Sequence, residues 1–145
     1  MGIVALGDDY LAWVKPAGGA FVVIDGQGTL SESRASTKID TSSKNKRGYN
    51  TGAYGNKSID HDMDVKVTLP DPGYLALETA CNASPATPFT LQIRGGGVDG
   101  VDADKIYEAS VYGSIASRTF NKDGTVDAKV QFTLADEPAF DQLGQ

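Results

Sequence analysis

The chain has 145 residues, a formal net charge of −6 at pH 7 and a single cysteine. This length is typical of one domain, and 40% hydrophobic with 22% charged residues is typical of a globular protein. The acidic balance argues against tight binding of nucleic acid, which depends on Lys and Arg neutralising phosphates. One cysteine excludes an internal disulfide and fits a reducing compartment. The N-terminus lacks a leading positive charge and a long apolar run, so we expect no signal peptide and no membrane binding.

The first third of the chain is predicted to form a hairpin followed by a long strand. Residues 9–15 and 20–25 alternate in polarity on either side of a Pro-Ala-Gly-Gly turn, which places Trp13 in a strand and favours core packing for it. Residues 29–40 are predicted to form the next strand. They are polar for a central strand, which fits an exposed sheet face or one that faces a neighbouring subunit.

A long segment without periodicity, 41–57, follows that strand. It is rich in glycine, lysine and asparagine, and connections of this length are usually functional or disordered. Basic and aromatic residues in an otherwise acidic protein favour a loop that meets another protein surface; the alternative is a passive hairpin tip. The candidate contact residues of this loop are Lys44, Lys46, Arg47, Tyr49 and Tyr54.

Residues 58–69 show the clearest strand pattern in the sequence. Side chains alternate between the two faces of a strand, so the alternation predicts one buried and one wet, mostly acidic face. The predicted buried positions are Ile59, His61, Met63, Val65, Val67 and Leu69, and the exposed ones are Asp60, Asp62, Asp64, Lys66 and Thr68.

One helix is predicted after this strand. Asp71 can cap its first amides, Pro72 suits the first helical position and Asn82 can end it. The apolar stripe of this helix comprises Tyr74, Leu77 and Cys81, widened by Leu75 and Ala80. Cys81 is therefore interpreted as a small core side chain.

The remainder of the chain is predicted to contain strands at 89–94, 105–120 and 125–134, followed by a patternless tail, 135–145, that needs a partner surface to become ordered. In the last strand, Asp127 and Lys129 are among the residues that face outward. About seven strands and one helix indicate a single domain, 1–145, that is mainly β: an antiparallel β-sandwich or barrel with one flanking α-helix and a long inter-strand loop.

Two clusters of carboxylates invite a metal interpretation. The Asp-x-Asp-x-Asp pattern of Asp60, Asp62 and Asp64 opens a calcium loop, but Val65 stands where that loop needs glycine. On a strand the three side chains would lie about 6.5–7 Å apart, too far for one ion. The second cluster is Asp99, Asp102 and Asp104 beside three glycines. A small calcium- or carbohydrate-binding β-sandwich, with Trp13 or the loop tyrosines as a stacking platform, therefore stays as the alternative function, and a hydrolase using these carboxylates ranks below it.

The order of these elements, together with one motif, carries a family resemblance. The stretch Ile39-Asp40-Thr41-Ser42-Ser43-Lys44 is similar to a strand end of the form Ile/Val-Asp-x-Thr/Ser-Ser-Lys, which is followed by a glycine-containing loop in the tail tube (major tail) protein family of tailed bacteriophages. The resemblance covers residues 9–134. The chain departs from the family pattern at Arg47-Gly48-Tyr49, where Gly-Trp or Gly-Phe is expected after the lysine.

The resemblance implies a structural virion protein, not an enzyme, and no cofactor. The family forms hexameric rings that stack into a hollow tube for DNA delivery, with one sheet per subunit lining the lumen and the long loop reaching the adjacent ring. Here the candidate lumen-facing residues are Asp60, Asp62, Asp64, Asp127 and Lys129. The implied partners are further copies of the chain, DNA in transient, non-specific passage, and other tail proteins: sheath if the tail contracts, tape measure, baseplate and terminator. The implied location is the virion tail, assembled in the bacterial host cytoplasm. A related ring-forming tail component and the tube of a contractile injection system fit the same resemblance.

Overall fold

The computed structural model of the protein describes residues 5–15, 19–42, 44 and 47–144. Their regular elements are one α-helix and eight β-strands, together with short 3-10 turns at Gly7–Asp9, Gly97–Asp99 and Asp102–Asp104. The bounds are β1 Leu11–Val14, β2 Val22–Val23, β3 Gln27–Asp40, β4 Gly52–Lys66, α1 Pro72–Cys81, β5 Phe89–Arg94, β6 Lys105–Phe120, β7 Val126–Leu134 and β8 Phe140–Asp141. No helix in the described ranges is long and apolar enough to cross a membrane.

All eight strands belong to one antiparallel sheet. Its order is β2-β1-β5-β6-β7-β4-β3, and β8 pairs with the first residues of β6, where β7 does not extend. The sheet is open: β2 and β3 are its two edges. The predicted mainly-β, antiparallel fold with one flanking helix is thus confirmed. Where a sandwich or a barrel was predicted, the structure has a single open sheet.

The core lies between one face of this sheet and α1. Alternate residues of β4, β5, β6 and β7 point to that face, including Met63, Leu91, Tyr107 and Phe132, all 2% exposed or less. Because the opposite residues of β4 and β7 remain in water, these strands show the two-residue alternation expected of a half-covered antiparallel sheet. The predicted burial of Ile59, His61, Met63 and Val65 is confirmed.

The helix begins and ends as predicted. The Asp71 side chain accepts a hydrogen bond from the Gly73 amide at 3.0 Å, Pro72 is the first helical residue and Asn82 follows the last one. Burial raises the pKa of the Asp71 carboxyl. The helix packs through Tyr74 and Leu77, while Leu75 is 65% exposed. The prediction that Leu75 widens the buried stripe is therefore wrong, because Leu75 is two residues, about 200° around the helix, from both Gly73 and Leu77, which are buried.

Two other predictions need correction. The segment 41–57 is not a loop throughout, because β4 begins at Gly52 and Tyr54 lies on that strand. The sequence of this part of β4 shows no alternation of polar and apolar residues because both of its faces are exposed. The register of its pairing with β3 also shifts, between Ser36 and Lys38. The tail also finds a surface within its own chain, since β8 pairs with β6 through Tyr107↔Asp141 and Glu108↔Phe140.

Candidate assembly surfaces

A two-stranded β-ribbon extends from one end of the sheet. Strand β4 pairs with β7 only from Asp60 to Lys66, whereas its pairing with β3 continues to Asp40↔Gly52. We call residues 35–58 the arm. Its paired portion alone reaches about 25 Å beyond the sheet at roughly 3.3 Å per residue. Nearly every described residue of the arm is exposed.

Polar contacts close the described part of the arm near its tip. The Thr41 amide donates to the Thr51 carbonyl at 3.0 Å, and the hydroxyl oxygens of the same two residues lie 2.8 Å apart. Ser42 receives a hydrogen bond from the Thr51 amide at 2.8 Å and itself donates to the Asp40 carboxylate. These hydrogen bonds from Ser42 lower the pKa of Asp40. The strands are thus held together up to the tip, and the loop beyond them is shorter than predicted.

The arm combines positive charge with exposed aromatic rings. By sequence, residues 35–58 contain five of the chain's 13 Lys and Arg residues but one acid, Asp40. Tyr49 and Tyr54 are 76% and 72% exposed. Of the predicted contact residues, Lys44, Arg47, Tyr49 and Tyr54 are described and all lie on this surface; Lys46 lies outside the described residues. None of the described cations of the arm pairs with a described carboxylate.

The predicted lumen-facing residues lie together on the exposed face of the sheet. In the register of β4 with β7, Asp64 is opposite Lys129 and Lys66 is opposite Asp127. Asp62 is opposite Gln131 on β7 and Ser31 on β3. The structure therefore brings Asp60, Asp62, Asp64, Asp127 and Lys129 onto one polar surface that spans two neighbouring strands.

A partly exposed ionic network around the buried His61 lies on the other face, at the base of the arm. His61 is 1% exposed; its Nε2 lies 3.0 Å from Glu32 Oε1, and its ring packs against Tyr107 with the centroids 4.8 Å apart. Arg34 donates to Glu32 at 3.1 Å and to Asp141 at 2.7 Å, so it links β3 to β8. Burial lowers the pKa of His61, and the hydrogen bond from Arg34 lowers the pKa of Asp141. The interpretation of His61 as a packed, hydrogen-bonded residue is confirmed.

The carboxylates considered for metal binding have other surroundings. Asp102 accepts a hydrogen bond from Gln92 at 3.0 Å, which lowers the pKa of Asp102, and Asp104 accepts one from the Val101 amide. Within the described ranges, no group of three or more His, Cys, Asp or Glu residues is arranged to hold a metal ion. Cys81 packs partly buried beside Gly113, and burial raises the pKa of its thiol to about 11.

An apolar groove at the end of the sheet opposite the arm was not foreseen from the sequence. Leu69 was predicted to be buried, yet it is 79% exposed, and Phe120 is 74% exposed. The reason is that β4 ends at Lys66, so Leu69 no longer follows the alternation of the strand. In the sequence, Pro70 and Pro72, directly after Leu69, were the available signal that the strand stops early.

Comparisons with known proteins point to one class. No protein-family model matches the sequence, and a search of curated proteins finds no match. Among solved structures, the fold matches the tail of an empty gene transfer agent particle with C6 symmetry, with a TM-score of 0.73 and 15% identity over 94% of this chain and 98% of the other. It also matches the SPP1 tail tube, with a TM-score of 0.65 and 14% identity over 94% of this chain and 80% of that one.

A third similar structure is part of a baseplate. A chain in the baseplate of the anti-feeding prophage, solved with sixfold symmetrisation, matches with a TM-score of 0.61 and 8% identity over 99% of this chain and 100% of its own length. The fold is therefore that of tail-tube proteins, and each of these three matches covers 94% or more of this chain.

Proposed function

We propose that the protein is a structural subunit of a phage-type tail tube, which forms stacked hexameric rings around a channel for DNA. The observation that carries the proposal is the match of the whole fold, rather than of a fragment, to tail subunits of a sixfold particle. In this proposal the protein has no catalytic role and needs no cofactor, and its principal partner is further copies of itself.

The arm supports self-assembly on physical grounds. An isolated two-stranded ribbon is at best marginally stable in water, and the described part of this one carries exposed tyrosines and cations that pair with no described carboxylate. The protein has a net charge of −6, so a further copy of the chain offers the cations of the arm an acidic surface. Within an assembly, such copies are present at high local concentration. The arm would reach from one ring to the next, with Lys44, Lys46 and Arg47 meeting carboxylates while Tyr49 and Tyr54 bury apolar area.

The edge and the exposed face of the sheet suit a ring with a central channel. Within the described residues, β3 pairs with a strand on one side only, and a long unpaired edge is a hazard for a monomer but a means of joining subunits. The polar face with Asp60, Asp62 and Asp64 would line the lumen. A predominantly negative wall does not hold phosphates, so a duplex can slide past it.

A tube subunit of this kind would also contact the other parts of a tail. Those partners would be a tape-measure protein inside the tube, a baseplate at one end, a terminator at the other, and a sheath if the tail contracts. The location follows: the virion tail, after assembly in the host cytoplasm.

Electron microscopy of the purified protein tests the proposal. We expect negative-stain images to show hollow tubes or sixfold rings, and sedimentation velocity to show species far heavier than the 15.2 kDa chain. A protein that remains monomeric at high concentration, with a cooperative melt that proves it folded, would overturn the proposal.

A further inference from the structure

A cavity of about 570 Å³ lies between the first half of β3 and the start of β6, next to the tail strand β8. We call it the seam cavity; Glu32 of β3, Tyr107 of β6 and Asp141 of β8 are among the residues that line it. Its volume is within the range of roughly 300–1,000 Å³ that is typical of small-molecule sites. Its described lining includes no residue of the arm and none of the candidate lumen-facing residues. The seam cavity is therefore distinct from those two surfaces.

The seam cavity is bordered by a buried hydroxyl group that lacks a partner. Tyr107 is 2% exposed, and no described residue forms a hydrogen bond with its hydroxyl oxygen. Nearly all buried polar groups form such a bond, so this hydroxyl marks a place where a further polar group can bind. The neighbouring His61 is also buried, but its Nε2 is already engaged, 3.0 Å from Glu32.

The charges around the seam cavity favour a cation. Three carboxylates line it, those of Asp8, Glu32 and Asp141, together with one guanidinium, that of Arg34. Arg34 donates to Glu32 at 3.1 Å and to Asp141 at 2.7 Å, so these two carboxylates share a single positive charge. Asp8 is exposed and pairs with no described cation. Burial lowers the pKa of His61, so its ring adds no positive charge at neutral pH.

The other walls favour a cation that carries carbon. Leu30, Ile93 and Ile106 supply apolar surface, and the rings of Tyr10 and Tyr107 also border the cavity. Aromatic rings attract ammonium groups as well as apolar ones. A metal ion does not suit this lining, because in the described ranges no group of three or more His, Cys, Asp or Glu residues is arranged to hold one. An amine on a short alkyl chain matches the carboxylates, the hydroxyl and the apolar walls together.

We propose that the seam cavity binds a small organic cation, a primary alkylammonium compound. Its nitrogen donates hydrogen bonds to the Tyr107 hydroxyl oxygen and to the carboxylates of Glu32 and Asp141, while its carbon chain lies along the apolar wall. The Arg34 side chain is 47% exposed, so it has room to turn toward solvent and admit the ammonium group to the shielded hydroxyl. This site is additional to the proposed tube function and does not depend on it.

Saturation-transfer NMR on the full chain tests the site, because it detects bound small molecules equally well on monomers and on tubes. The probe is n-butylammonium chloride, and n-butanol is the uncharged control of nearly the same size. We expect butylammonium to give signals that saturate with a Kd on the order of 1 mM, as suits so small a ligand, and butanol to give at most weak signals. Equal binding of both probes would overturn the cation site, and no saturable signal from butylammonium would overturn any such site.

Two variants and a matched control locate the binding. Tyr107→Phe removes only a hydroxyl that has no partner to lose, so it should melt no lower than wild type yet bind butylammonium about fivefold more weakly. Asp8→Asn should weaken binding about twofold, because it removes an exposed charge at the rim. Asp9→Asn changes the next residue of the same turn, which is equally exposed but does not line the cavity, and should bind as wild type does.

The outcomes for these variants separate a built site from general attraction to an acidic protein. Unchanged binding by Tyr107→Phe would overturn the proposal. Equal losses for Asp8→Asn and Asp9→Asn would show that net charge alone attracts the probe, and would overturn it too. A Tyr107→Phe variant that melts well below wild type would show that the hydroxyl has a structural partner, which contradicts the premise of the site.

Discussion

The side chain of Gln27 hydrogen-bonds to both backbone polar groups of Ala12. Its Oε1 accepts from the Ala12 amide at 2.9 Å, and its Nε2 donates to the Ala12 carbonyl at 3.0 Å and to the Ile24 carbonyl at 2.8 Å. Strands β1 and β3 are not neighbours in the sheet order, yet this one side chain connects them. The open sheet is therefore curved enough to bring the start of β3 to β1 without a backbone ladder between them.

Replacing Gln27 should weaken the fold. Gln27→Leu removes the acceptor of the Ala12 amide, whereas the Ala12 carbonyl still accepts a hydrogen bond from the Ile24 amide at 3.4 Å. A part-buried polar group that loses its partner costs about 1–3 kcal/mol. Gln131→Leu, on the exposed face of β7, is the matched control and should change the free energy of unfolding by less than about 0.5 kcal/mol. Chemical denaturation measures both values, and equal losses would contradict the role assigned to Gln27.

Acidification should destabilise the protein through His61. Burial lowers the pKa of His61 in the folded protein below its ordinary value of 6.5, so the unfolded chain takes up this proton first. The contribution of neutral, buried His61 to the free energy of unfolding is complete above pH 6.5. It is lost as the pH falls from there through the pKa of His61 in the folded protein. Thermal melts from pH 7.5 to 5 should thus show a steeper decline for wild type than for His61→Gln. Parallel curves would show that His61 does not contribute.

Adding one methyl group to Gly73 should disturb the packing of the helix. A Cβ at this position would lie 2.2 Å from the Val23 carbonyl oxygen, and backbone atoms cannot move aside cheaply. Gly73→Ala should therefore lower the free energy of unfolding by about 1–3 kcal/mol, as overpacking usually does. Gly7→Ala, where no atom lies within 4 Å of the added carbon, is the control and should have little effect. A Gly73→Ala variant as stable as that control would mean that α1 is not seated against β2.

Shortening the arm should separate folding from assembly. Thr41 and Thr51 form a hydrogen-bonded pair, so residues 42–50 can be replaced by Asn-Gly, which favours a tight hairpin turn. The shortened protein should melt as wild type does, because the described residues among those removed, 42, 44 and 47–50, are all exposed. It should form no long tubes in negative-stain images. Long tubes from this variant would show that the tip is passive.

Charge reversal should weaken stacking more than folding. Changing Lys44, Lys46 and Arg47 to Glu turns attraction to the acidic surface of a neighbouring copy into repulsion, and individually weak ion pairs of about 0–1 kcal/mol are multiplied by repetition around a ring. We expect the concentration needed for tubes to rise at least tenfold. Salt should act on wild type in the same direction, because it screens exposed charges. Changing Lys15, Lys122 and Lys129 to Glu provides a control of equal charge outside the arm; an equal rise there would indicate a net-charge effect.

The local elements of this protein could be predicted from the sequence because their causes are local. The alternation along 58–69, the cap at Asp71 and the proline at the start of α1 act within a few residues. The structure has the helix where these signals placed it, and the predicted strand is correct over residues 58–66. The burial of His61 also followed from its position in the alternating pattern.

The tertiary structure decided what depends on distant partners. The arm carries no alternation because neither of its faces is buried, so its strand pairing from Gly52 onward could be recognised only from its hydrogen bonds to β3. The pairing of β7 with β6 stops at Val111, so β7 does not cover the first residues of β6. Strand β8 of the tail pairs with β6 there, at Tyr107 and Glu108. The exposure of Leu69 and Phe120 depends on how the end of β4 lies relative to the end of β6, two points more than 50 residues apart in the chain, and no local pattern encodes that relationship.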